Sequence, residues 1–225
     1  DTMSSGNISA FAIEAFKLGK TSFEIDYNQP DKIAELLQQI TDRKGLGEIL
    51  SKGIKEASEE LGLEDIAIHV KGLEPAGYDP RTLKGMGLSY ATSARGACHL
   101  RGTFYKAEIS GQIDRNQIEG KAKLHVDYED RSALFDCLIL CRFFRDLIQW
   151  DELSLIIEAT TGLSMSKKEL ESFANTITQK TRIYNAREGI DTTTDTLPKR
   201  MLTEATAEGE SLTEQDLKIM ISEYN

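Results

Sequence analysis

The sequence is poor in the residues that build disulfide scaffolds, membrane spans and nucleic-acid surfaces. Only three residues are cysteine, an odd number that argues against a secreted disulfide framework and for a reducing compartment, which allows the cytoplasm. No apolar run reaches about 18 residues, so we expect no contact with a membrane. The 27 basic residues are outnumbered by 37 acidic ones, and the net charge of −10 argues against nucleic acid as a partner.

The rest of the composition is that of an ordinary globular protein. Hydrophobic residues make up 40% of the 225-residue chain and charged residues 28%, which excludes collagen and a wholly disordered chain. A chain of this length fits one or two domains of roughly 100–200 residues and can bury a sizeable core. Because it opens on Asp1 and not on methionine, we expect it to be a piece of a longer protein.

Apolar residues recur at helical spacing along most of the chain. The pattern predicts helices over residues 9–18, from residue 30 onward, and over 46–61, 129–148, 150–160, 167–187 and 213–224. Residues 66–70 are predicted as a short strand or an extended segment. Two prolines and two glycines within residues 70–81 predict a loop at a domain boundary or hinge. We therefore predict an all-α, multihelical fold with two subdomains, residues 1–70 and 71–225.

An acidic residue lies within the most apolar stretch of the chain. Residues 133–141 read A-L-F-D-C-L-I-L-C, and Asp136 is the only one that is neither apolar nor cysteine. A helix that is apolar nearly all round is buried, and a buried carboxylate must be paired or hydrogen-bonded. Two interpretations stay open: Asp136 binds a neighbouring amide or an arginine, or it accepts hydrogen bonds from a buried polar ligand.

Cys137 and Cys141 lie four residues apart and would share one face of a helix. Thiolates at this spacing can contribute to a metal site, although free cysteine is more often a small core residue. A cluster with four thiolate ligands needs more cysteines than the chain offers, since only Cys98 remains. Either the chain has no such site or it supplies one ligand of a shared one.

Residues 90–102, Y-A-T-S-A-R-G-A-C-H-L-R-G, place two arginines and a histidine among small residues. Small neighbours permit close approach of a ligand, and Arg95 and Arg101 suit a phosphate or carboxylate. His99 titrates near neutral pH and can move a proton. The alternative is a tightly packed helix with two surface arginines. The residues alone support a helical domain with a candidate anion and thiolate site.

These motifs together resemble the tungsten-containing aldehyde:ferredoxin oxidoreductase family. The resemblance runs in order from Asp1 to about Arg200 and also includes D-T-M-S-S-G-N at residues 1–7, G-L-G-E-I-L at 45–50, V-K-G-L-E-P-A-G-Y-D-P-R at 70–81 and R-I-Y-N-A-R-E-G at 182–189. Members oxidise aldehydes to acids and pass electrons to ferredoxin. Their cofactor is a tungstopterin, in which two pterins hold a tungsten ion and molybdenum is an alternative metal. A [4Fe-4S] cluster lies beside one of the pterins.

The resemblance is to the helical part of the family alone. It implies that residues 1–70 are part of the middle helical domain, truncated at its N-terminus, and that residues 71–225 are the C-terminal helical domain. The N-terminal pterin-binding domain of the same protein would be a partner, as would ferredoxin, the aldehyde substrate and, in a homodimer, a second copy.

The family's pterin motif, D-x-x-G-L-[C/D], matches residues 136–141. The resemblance implies that Asp136 accepts hydrogen bonds from pterin nitrogens, that Leu140 contributes a backbone contact, and that Cys141 is the fourth cluster ligand. Ile139 departs from the pattern, which has glycine there. The first copy of the motif would end on Asp1, which is therefore a further cofactor-binding candidate.

The same resemblance assigns roles in residues 90–102. His99 matches the histidine near the metal, a candidate proton donor or acceptor. Arg95 and Arg101 match basic residues that contact the cofactor through its phosphates. Cys98 and Cys137 match no ligand role.

Two other functions compete with aldehyde oxidation. The chain could be a non-catalytic helical subunit or interaction module that has kept the family sequence. It could also serve a relative that keeps the cofactor and reduces acids or aromatic thioesters.

Overall fold

The computed structural model describes all residues from Asp1 to Asn225 and is built from helices. The α-helices are α1 (Thr2–Lys17), α2 (Pro30–Asp42), α3 (Leu46–Leu50), α4 (Ile54–Leu61), α5 (Lys84–Thr92), α6 (Tyr105–Ile109), α7 (Lys121–Cys137), α8 (Trp150–Thr161), α9 (Lys167–Arg187), α10 (Lys199–Thr203) and α11 (Glu214–Tyr224). Short 3-10 helices lie at Glu64–Ile66, Arg142–Phe144 and Thr192–Thr194. There is no strand, only an isolated bridge between Val70 and Leu73, so the all-α prediction is confirmed.

Three of the predicted helices are wrong in extent. The first begins at Thr2, seven residues early, because the Asp1 carboxylate caps it by accepting the backbone N–H groups of Met3 (2.7 Å) and Ser4 (3.2 Å). The predicted helix 46–61 is two helices, α3 and α4, which are separated by Gly53 at φ 93°. The predicted helix 129–148 ends at Cys137, and α7 instead begins earlier, at Lys121.

The buried apolar residues form three clusters. One comprises residues from Ile8 to Ala67 and joins α1–α4. The second begins at Val70 and joins α5 and α7 to α11. The third runs from Leu134 to Ala174 and joins the end of α7 to α8 and α9. The boundary at residues 70/71 stays a prediction, and none of these helices is both long and apolar enough to cross a membrane.

Buried ion pairs hold α5, the helix that leads into residues 93–102. At its start, Glu108 accepts the backbone N–H groups of Gly85 (2.8 Å) and Met86 (3.2 Å) and pairs with the buried Lys121. Its charge is therefore placed at the positive end of the helix. At the other end, the Lys71 ammonium donates to the carbonyls of Ala91 (2.7 Å) and Ser93 (3.1 Å).

The same lysine connects α5 to the end of the chain. Lys71 Nζ lies 2.6 Å from Asp195 Oδ1, and both side chains are buried. Asp195 also binds Arg182 of α9 (3.2 Å), and Asn185 of α9 donates to the Ala94 carbonyl. Because these groups are largely withdrawn from water, breaking one pair would cost about 3–5 kcal/mol. These contacts thus fix the position of the segment after α5 from its buried side.

The close contact of α2 with α3 depends on a glycine. A Cβ on Gly47 would overlap the backbone of Gln39 and Ile40. We expect Gly47→Ala to lower the free energy of unfolding by about 2–3 kcal/mol, because backbone cannot move aside as a side chain can. Urea denaturation measures the change.

Gly6→Ala is the matched control, since nothing lies within 4 Å of the added Cβ in α1. There the free energy of unfolding should rise by about 0.5–1 kcal/mol, because alanine loses less conformational freedom in a helix. Equal effects at the two positions would contradict the close packing at Gly47.

Candidate functional site

Residues 93–102 follow α5 in a tight, irregular path that only small residues permit. Gly96 has φ +101°, a left-handed value that favours glycine, and a Cβ there would overlap the Val70 carbonyl. A Cβ on Gly102 would overlap the Ser89 hydroxyl and the His125 ring. The glycines of this motif thus let the segment lie against the core, while Arg95 is exposed and His99 and Arg101 are partly exposed.

His99 is half-buried in this segment. Its ring centroid lies 6.0 Å from that of Tyr78, and neither of its ring nitrogens makes a hydrogen bond within the chain. Burial, and then the charge of Arg95, lower the pKa of the imidazole from its usual value near 6.5. His99 is therefore neutral at pH 7, with one nitrogen able to accept a proton and the other to donate one.

Arg95 is positioned by a buried sulfur. Its Nε donates to Cys98 Sγ at 3.1 Å, and the backbone N–H of Leu100 donates to the same sulfur at 3.4 Å. Cys98 is 1% exposed. It holds the turn that carries Arg95, a role for which the sequence offered no signal beyond its position between the two arginines.

Asp136 is exposed, contrary to the expectation of a buried carboxylate. It lies in the last turn of α7, where the helix leaves the core. Its Oδ2 is 2.6 Å from Arg101 and its Oδ1 is 2.6 Å from Arg142, so a pairing with arginine, one of the two open interpretations, is observed. The structure thereby joins two of the predicted site residues, Asp136 and Arg101, from distant parts of the chain.

Arg142 is a functional candidate that the sequence reasoning missed. One guanidinium nitrogen binds Asp136, and another donates to the carbonyl of Leu100, next to His99. A single side chain thus ties the end of α7 to the histidine segment. The only available signal was that an arginine directly follows Cys141 in the motif.

The turn from Leu138 to Cys141 projects from the surface. Ile139 is 93% exposed and has φ +57°, a left-handed conformation that a β-branched residue adopts at a cost. Glycine, which the expected motif has at this position, adopts such a conformation without that cost. Both Cys137 and Cys141 are exposed free thiols.

Asp1 stands apart from these residues. Its carboxylate caps α1 and makes no hydrogen bond or ion pair with any other predicted site residue. It lines a separate cavity with Ser4, Glu74 and neighbouring residues. Within the chain, no group of three or more histidine, cysteine or acidic side chains could hold a metal ion.

The strain at Ile139 gives a stability test. We expect Ile139→Gly to raise the free energy of unfolding by about 1 kcal/mol, because glycine tolerates positive φ and the exposed side chain contributes little packing. Leu163→Gly is the control, since Leu163 is 61% exposed and lacks a positive φ. Urea denaturation should show a loss of about 0.5–1 kcal/mol there. A loss at both positions would contradict the strain.

The pKa of His99 gives a second test. Removing the nearby positive charge in Arg95→Gln should raise the pKa of His99, and burial should still hold it below the usual value. The pKa of His99 is lower in the folded protein than in the unfolded chain. Protonation of His99 therefore destabilises the folded protein as the pH falls below the pKa of the unfolded state. An NMR titration of the imidazole protons measures the pKa. Lys180→Gln on the exposed face of α9 serves as control, and an unchanged pKa in Arg95→Gln would contradict the assignment.

Comparison with known proteins places the whole chain in one family. Residues 1–225 match the model for aldehyde ferredoxin oxidoreductase, domains 2 and 3. The tungsten-containing aldehyde ferredoxin oxidoreductases of Pyrococcus furiosus and Thermococcus kodakarensis are 30% and 33% identical over 221 residues, which is 93% of this chain. The chain spans 36% of the length of each relative.

Two other relatives are similar over different extents. The aliphatic sulfonate oxidoreductase, WOR-like subunit, of Pyrococcus furiosus is 31% identical over 112 residues, 44% of this chain and 18% of that protein. The active site complex BamBC of benzoyl coenzyme A reductase, solved with 1,5-dienoyl-CoA, has a TM-score of 0.74 at 17% identity. It covers all of this chain and 40% of that one, and it shows a shared fold.

Proposed function

The chain belongs to the aldehyde ferredoxin oxidoreductase family, and from this premise we propose that it forms part of a tungsten- or molybdenum-pterin oxidoreductase that oxidises aldehydes to carboxylic acids. Ferredoxin is the proposed electron acceptor and the cytoplasm the proposed compartment. The main structural support is the Arg142 side chain, which links the proposed pterin and cluster loop to the segment of His99.

The residues of the loop fit a pterin chemically. An ionised carboxylate offers about four lone-pair positions, and Arg101 and Arg142 use one each at Asp136, which leaves acceptors for pterin N–H groups. The Leu140 carbonyl accepts no backbone hydrogen bond within the chain and is free for a further contact. Arg95 and Arg101 supply guanidinium groups, which suit phosphates. Asp1 caps α1 through Oδ1 alone, so its Oδ2 would be available for a contact with the cofactor.

The exposed Cys141 thiol suits a cluster ligand, because thiolates are the usual ligands of iron–sulfur clusters. The chain offers no complete ligand set, so residues beyond positions 1–225 would provide the others. We propose the N-terminal pterin-binding domain of the same protein as their source. When bound, the metal and cluster would accept the two electrons released by the aldehyde and pass them on.

His99 is the proposed proton carrier. Conversion of an aldehyde to an acid takes one oxygen from water and releases two electrons and two protons. The neutral imidazole of His99 accepts one of these protons at the ring nitrogen that carries its lone pair. Its lowered pKa favours rapid release of that proton to solvent.

The test uses the full-length product of the native gene, purified without oxygen. We expect tungsten or molybdenum, about four irons per chain and aldehyde-dependent reduction of a viologen dye or ferredoxin. His99→Gln should lower kcat by about 100-fold or more with unchanged metal content. Cys141→Ser should lose iron, and Lys180→Gln on the exposed face of α9 should match the wild type.

A protein without tungsten, molybdenum and iron would overturn the proposal in favour of the interaction module. A loaded protein that reduces acids or aromatic thioesters and leaves aldehydes untouched would support the cofactor site and overturn the reaction. Loss of metal in His99→Gln would mean that His99 is a structural residue and not a proton carrier.

A further inference from the structure

A polar cavity of about 570 Å³ lies between α6, α7 and the segment that precedes α8. Only two of its eleven lining residues are hydrophobic. The charged ones are Lys106, Asp127, Arg131, Arg145 and Asp146. An apolar ligand would leave these groups without partners, so the cavity suits a charged or strongly polar one.

One residue that lines the cavity is a buried arginine without a carboxylate partner. Arg131 is 5% exposed, yet no acidic oxygen lies within 4.0 Å of it. Its guanidinium donates to the neutral side-chain amide of Gln149 and lies 5.5 Å from the centroid of the Tyr128 ring. A buried charge of this kind is costly unless an opposite charge meets it.

A second guanidinium in the same wall is also without a carboxylate. Arg145 donates to the Arg142 carbonyl (3.0 Å) and to the Tyr105 hydroxyl (3.4 Å), both of which are neutral. Two arginines facing one polar cavity form the arrangement that binds tetrahedral oxyanions, because each planar guanidinium offers parallel N–H donors.

The two acidic residues of the wall are engaged elsewhere. Asp146 pairs with Lys106, and Asp127 accepts the indole N–H of Trp150 at 2.7 Å. Neither forms an ion pair with Arg131 or Arg145. The indole of Trp150 is neutral and leaves the charge of Asp127 in place, so the three cations and two carboxylates of the lining sum to a net charge of +1.

We propose that this cavity binds a phosphate group, held by Arg131 and Arg145. The group is either free phosphate or the phosphate of a larger ligand, for which the volume leaves room. The proposal does not rest on the proposed function, since it uses none of the residues assigned to the pterin, the cluster or the proton.

The test is calorimetric titration of the full-length protein with inorganic phosphate and, separately, with phenyl phosphate, at low and constant ionic strength. One saturable site should be lost or weakened about 10-fold or more in Arg131→Gln and in Arg145→Gln, because each removes a charged hydrogen-bond donor. Arg187→Gln, at the exposed end of α9, should bind phosphate as the wild type does. Arg145 is less deeply buried than Arg131, so its variant tests the proposal even where Arg131→Gln fails to fold.

If phenyl phosphate binds more tightly than phosphate, the proposal holds and the natural ligand is a larger molecule that carries a phosphate. If the two bind equally, the proposal holds and the ligand is free phosphate. No saturable binding to the wild type would overturn it. Unchanged binding in the Arg145→Gln variant would overturn it as well, because phosphate would then be bound elsewhere in the protein. Loss of aldehyde oxidation with intact phosphate binding would overturn the proposed function alone.

Discussion

The Asp136 carboxylate, held between Arg101 and Arg142, is the interaction on which the arrangement of the site depends. It connects the last turn of α7 to a segment that follows α5, two regions separated by more than thirty residues of sequence. Exposed ion pairs of this kind contribute only about 0–1 kcal/mol each to stability. Their effect here is geometric, because Arg142 also binds the Leu100 carbonyl and so fixes the loop relative to His99.

This surface connection relies on a rigid support beneath it. Asp195, which precedes α10, binds both Lys71 and Arg182 of α9, and Lys71 also donates to the carbonyls at the end of α5. Their burial makes them strong constraints on geometry, since an unpaired charge in the interior is heavily penalised. The buried ion pairs therefore contribute most of the free energy that holds the site in position, and the exposed residues are left free to contact a ligand.

The sequence predicted those helices whose ends carry local signals. Periodicity found α2, α8, α9 and α11, whose ends carry local signals that act within a few residues: Pro30 at the first turn of α2, Gly162 after α8 and the capping boxes of α9 and α11. The end of α7 carries no such signal, because an apolar run continues past it and the left-handed residue is Ile139. The helix predicted from periodicity therefore ran through the turn after Cys137. Asp136 was expected to be buried for the same reason, since its neighbours belong to the core and its own face does not.

Long-range contacts explain why the site itself was only partly predictable. His99, Arg101 and Asp136 were singled out by their residue types and neighbours, and the motif resemblance added their roles. Arg142 instead acquires its importance from a contact with Leu100 that no spacing rule describes. The buried Arg131 was missed because its significance is the absence of a nearby carboxylate, which is a property of the tertiary structure.

The net charge of −10 is a poor guide to the electrostatic environment of a small bound ligand. At physiological ionic strength, exposed charges are screened beyond about 8 Å, so a bound anion responds to the few groups around it. Around residues 95–145 those groups include Arg101, Arg142 and Arg145. The guanidinium and the backbone N–H of Arg145 both donate to the Arg142 carbonyl, which joins the pterin-loop arginine to the wall of the polar cavity. An acidic total therefore argues against an extended polyanion, which must cross the rest of the surface, while leaving this basic region suited to small phosphates and carboxylates.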